Sequence, residues 1–107
     1  MAASQKAIQN ANRLRYIRAL ERFHKSIISY LSNTPELTFE GYAKKIATSL
    51  KLLQRVEEID LYKGDLQDLQ KLIKKMISLA ESEGDVQEIK EEITYASNQL
   101  DKSKNAR

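Results

Sequence analysis

The chain contains no cysteine and no tryptophan, only one proline, three glycines and a single histidine. Without cysteine it can form neither a disulfide nor a thiolate metal site, and a reducing compartment is permitted. So few glycines and prolines leave little material for sharp turns. That argues against a sheet protein, which needs a turn signal about every 8–12 residues. Acidic residues are almost missing from the first third. Residues 1–31 hold Lys6, Arg13, Arg15, Arg18, Arg22 and Lys25 against Glu21 alone, a net +5, whereas the whole chain carries +3. No apolar run approaches the ~18–20 residues of a membrane span, and no apolar signal-peptide segment follows the first residue. The expectation is a cytoplasmic or otherwise intracellular protein. The first twenty residues, acid-free and containing Arg and Ser, also fit a mitochondrial presequence, although the helical pattern runs on past any cleavage point.

What is present is the composition of a helical bundle. In 107 residues, 41% are hydrophobic and 31% charged, enough for one domain with a modest core. Punctuation falls at three places. Pro35 cannot continue a helix, so either Thr34 caps a helix with Pro35 in its first position or the start slips to Thr38. Gly64 can close one helix and Asp65 cap the next. Asp85 to Glu88 resembles a capping box. These signals predict helices over about 4–31, 36–60, 66–83 and 86–102, with residues 1–13 as an N-terminal extension and a frayed tail over 103–107.

Periodicity supports each helix. Val86, Ile89, Ile93, Ala96 and Leu100 recur at steps of three and four, a seam like that of a coiled coil. Leu66, Leu69, Ile73, Met76 and Ala80 repeat those steps, and Leu72, Ile77 and Leu79 widen the face until it can touch two neighbours. Phe39, Tyr42, Ala43, Ile46, Leu50 and Leu53 line one side of the second helix. The fold expected is all-α: an antiparallel up-down bundle of four helices, or three with a short or swapped fourth.

Two surfaces stand out as candidates. At about 100° per residue, Tyr16, Leu20, Phe23, Ile27 and Tyr30 share one face of the first helix, and Arg15, Arg18, Arg22 and Lys25 form a row nearly opposite, about 15 Å long. Such a row can meet an acidic protein patch or follow a phosphate backbone, and it is also what a soluble amphipathic helix needs simply to face water. The second surface is apolar. Leu52, Val56 and Ile59 point away from the core face of a helix drawn to residue 60, and uncovered apolar surface marks interfaces. Tyr95 lies off its helix seam and joins this set as a protein-interface candidate.

Signs of catalysis are weak. Glu21 and His24 form an E-x-x-H, but a metal site of that kind needs inward carboxylates from other helices as well. The acids at Glu57, Glu58 and Asp60, and at Glu91 and Glu92, read as solvated surface charge. Glu57 alone lines up with Ile46 and Leu53, so either the core has ended there or Lys51 and Arg55 neutralise it. The sequence thus points to a non-enzymatic protein without cofactor, metal or small-molecule substrate, acting by binding another protein or a second copy of itself and not a membrane. A nucleic-acid-binding accessory subunit using the basic face is the alternative, and a small inhibitor or immunity-type protein a third.

Overall fold

The computed structural model describes the backbone of residues 2–105 and the side chains of residues 11–102. It contains four helices, α1 (Ala2–Asn33), α2 (Phe39–Gln54), α3 (Gly64–Glu81) and α4 (Val86–Asn105), and no strand among the described residues. The chain is an all-α four-helix bundle. At 1.5 Å per residue, α1 alone is about 48 Å long, close to the 53 Å long axis of the molecule.

The core follows the apolar stripes. Tyr16, Leu20, Phe23, Ile27 and Leu31 from α1 meet Tyr42 and Ile46 from α2, Leu69, Leu72, Ile73 and Met76 from α3, and Ile89, Ile93 and Leu100 from α4. Phe23, Ile27, Tyr42, Met76 and Ile93 are fully buried, each contributing on the order of 1.5–3 kcal/mol by leaving water. The wide face of α3 does touch more than one neighbour: it packs against α1, α2 and α4. The α1/α2 pair is antiparallel, since Tyr30 lies against Gly41 at one end and Arg15 to Arg22 lie beside Leu52 to Val56 at the other. The α3/α4 pair is antiparallel too, with a Lys75–Glu92 ion pair towards one end and Leu66 beside Leu100 towards the other.

Helix boundaries move from expectation most clearly at the two ends of α2, and each shift has a cause. The second helix starts after Thr38, the later of the two starts that the sequence allowed. Thr38 is extended (φ −128°, ψ 153°) and its Oγ1 accepts from the Gly41 N–H at 3.0 Å, satisfying an N–H that the first turn leaves without a helical acceptor. Leu37, just before the cap, packs on the same core as Tyr42, the arrangement of a hydrophobic staple. Gly41 makes room here: a Cβ on it would stand 2.5 Å from the Tyr30 hydroxyl.

The same helix ends at Gln54, not at 60. Carried on, it would have turned the Glu57 carboxylate towards the core, a costly burial. Residues 55–63 leave the helix instead. Glu57, Glu58 and Asp60 face solvent, while Ile59 and Leu61 pack inward. At the next boundary Gly64 opens α3 rather than closing α2, Lys63 occupies the cap position without a side-chain hydrogen bond, and Asp65 lies in the first turn. Asp85 does cap α4, its Oδ1 accepting from the Gln87 N–H at 2.9 Å. The backbone of α4 runs to Asn105. Of the frayed tail expected over 103–107, residues 103–105 continue this helix and residues 106–107 lie outside the described residues, as do the side chains of residues 1–10 in the expected extension.

Candidate functional site: an arginine-lined groove

The basic row and part of the apolar strip meet in one place. Arg15, Arg18, Ala19 and Arg22 are spaced i, i+3, i+4 and i+7, so they share a face of α1. The end of α2 lies across that face with Leu52, Arg55 and Val56, again at i, i+3 and i+4. Between them is an open groove of about 230 Å³. Its floor is apolar: Ala19 is 6% exposed, and Leu52 and Val56 are half-buried. Its rim is four guanidiniums, Arg15, Arg18, Arg22 and Arg55, all exposed.

Local structure explains why the rim is cationic on both sides. Arg55 is the C-terminal cap residue of α2, where helix carbonyls point outward and positive charge is favourable. The Val56 N–H turns back to the Leu53 carbonyl at 3.3 Å, which ends the helix and directs Val56 onto the groove floor. Glu21 is near enough in sequence to pair with Arg18 or Lys25, yet the ion pairs that form, Lys74–Glu58 and Lys75–Glu92, involve none of the rim arginines. The four rim arginines therefore meet no carboxylate among the described residues.

The other candidate residues are elsewhere. Lys25 belongs to a different cavity of about 440 Å³, which it shares with His24, Asp65, Ser97 and Asp101. Ile59 lies on the 55–63 connection and packs on the core. Tyr95 is 67% exposed on the outer face of α4, beside Lys90, Glu91 and Asn98. The apolar strip is accordingly not a continuous helical face: Leu52 is on α2, while Val56 and Ile59 follow its end. Arg55 was missed as a site residue. The signal that could have found it is its i+3 spacing from Leu52, once a helix end is recognised at that point.

The remaining polar groups are mostly structural. His24 Nε2 and the buried Ser97 Oγ lie 2.9 Å apart and tie α1 to α4. No group of three acidic or histidine side chains gathers among the described residues as a metal site would require. The Tyr16 hydroxyl accepts from Gln70 Nε2 at 2.6 Å, and the same Gln70 nitrogen donates to Glu58 at 3.1 Å. Burial raises the Tyr16 phenol above its ordinary 10.0, the Gln70 hydrogen bond partly offsets this, and the Glu58 charge adds to it. The Tyr42 hydroxyl does not reach the surface of the bundle. It is fully buried and donates to the Met76 carbonyl at 2.6 Å, and desolvation pushes its phenol strongly upward. Arg13, which the helical wheel turns towards the core, instead places its Cζ 4.9 Å over the Tyr62 ring, a cation–π contact with the 55–63 connection.

No helix among the described residues is long and apolar enough to cross a membrane. No known protein family, curated protein or solved structure matches this chain.

Proposed function

We propose that this chain is a non-enzymatic binding protein, an adaptor or accessory subunit whose work is to hold another macromolecule on the groove between α1 and the end of α2. The observation that carries this reading is the grouping of Arg15, Arg18, Arg22 and Arg55 around the floor of Ala19, Leu52 and Val56. Guanidiniums that neutralise no carboxylate among the described residues are available to a partner. A floor of half-buried apolar side chains gains by being covered. A nucleic-acid partner is the second reading, supported by the row of exposed cations along α1.

The test is affinity capture from the native cell with the full chain and, in parallel, with an Arg15→Glu, Arg18→Glu, Arg22→Glu variant, identifying both protein and nucleic acid. A macromolecule held by the wild type and released by the variant is the expected result. Identical captures for both proteins would refute the reading. All three side chains are exposed, so the variant should keep its helical circular dichroism spectrum.

A further inference from the structure

The class of partner can be narrowed from the groove's chemistry. Resting on the binding reading above, we infer that the groove takes an acidic peptide segment of another protein, with one large apolar side chain seated on Leu52 and Val56 and carboxylates meeting Arg15, Arg22 and Arg55. Charge complementarity selects the sign. Four guanidiniums surround the opening, and each offers a planar fork that a carboxylate can occupy with two parallel hydrogen bonds.

The floor selects peptide over nucleic acid. A phosphate backbone gains nothing from Ala19, Leu52 and Val56. Bases would need an aromatic platform, and no aromatic residue lines this groove. A Leu, Ile or Phe side chain flanked by Asp or Glu uses both features at once. The row from Arg15 to Arg22 spans about 10 Å of helix axis. That is about two turns of a docked helix, so acids one turn either side of the apolar anchor would reach both ends. Rim charges around a small desolvated centre are also the usual build of a specific contact.

The experiment is a selection from a phage-displayed library of random peptides about 12 residues long, enough for ~18 Å of helix, against the full chain in about 150 mM NaCl, where weak surface attraction is screened. Enriched peptides should carry several acids around one large apolar residue. Their affinity, read by fluorescence anisotropy, should fall roughly tenfold or more on the Arg15→Glu, Arg22→Glu, Arg55→Glu protein. Replacing the peptide's own apolar anchor by serine should cost a comparable factor and needs no change to the protein fold. Enrichment of acid-free peptides, equal binding to the arginine variant, or no enrichment at all would overturn the inference. A labelled single-stranded oligonucleotide is titrated alongside. If it binds through the same arginines while no peptide is selected, the peptide inference fails and the binding function stands. If peptide, oligonucleotide and cellular capture all ignore the arginine changes, the binding function fails as well.

Discussion

Replacing Tyr42 by phenylalanine removes a single oxygen atom from the centre of the bundle, and two consequences follow that can be separated by pH. At neutral pH the change deletes the 2.6 Å hydrogen bond from the Tyr42 hydroxyl to the Met76 carbonyl. Met76 lies inside α3, so its carbonyl keeps its own helical partner and is not left bare. The loss is then an ordinary buried hydrogen bond, about 1 kcal/mol, or a fall in Tm of roughly 4–8 °C for a domain of this size.

In alkali the balance changes. The folded state raises the Tyr42 phenol far above its ordinary 10.0. Above pH 10 the unfolded chain therefore releases a proton that the native state retains, and native stability falls as pH rises. The slope is about 1.4 kcal/mol per pH unit, so at pH 11 the wild type has lost on the order of 1.4 kcal/mol that the phenylalanine variant never had at stake. Every other group is common to the two proteins and cancels in the comparison. Denaturant unfolding followed by circular dichroism should therefore find the variant less stable at pH 7 and level with the wild type near pH 11. A stability difference that is the same at both pH values would refute the reasoning, because it would mean that Tyr42 ionises normally in the folded protein.

Thr38→Ala should destabilise by about 1 kcal/mol through loss of the cap on α2, whereas Thr34→Ala should stay within ~0.5 kcal/mol; thermal melts of the two variants check which threonine starts the helix. Phe23→Ala, at a fully buried position, should cost about 3–5 kcal/mol, while Tyr95→Ala on the outer face of α4 should stay within about 0.5 kcal/mol, both read from urea midpoints. A double-mutant cycle on Arg13 and Tyr62 should return a coupling of about 0.5–1 kcal/mol. A coupling of zero would mean that α1 is not held to the 55–63 connection through Arg13.

The number and order of helices were legible in the sequence because they are set locally. Steps of three and four among Leu69, Ile73 and Met76, or Ile89, Ile93, Ala96 and Leu100, bury one face whatever the neighbours are, and Asp85 caps by reaching its own next turn. The end of α2 was not legible in the same way. Its helical period runs on through Val56 and Ile59, and only the cost of turning Glu57 into a packed core, together with the gain from seating Leu61 there, decides that the helix stops at Gln54. The buried hydroxyl of Tyr42 is likewise a tertiary matter, since its acceptor lies on another helix.

The candidate site divides along the same line. That Arg15, Arg18 and Arg22 form a row follows from spacing on one helix and needs no fold. That Leu52 and Val56 become the floor beneath that row and that Arg55 closes its far side was decided when α2 folded back against α1, and that Lys25 lines a different cavity was decided by the packing of α3 and α4. A single helix fixes which of its own side chains share a face, because backbone geometry alone sets the angle between them. Which face of which neighbour they meet depends on how two apolar stripes pack, and that is a property of the assembled bundle.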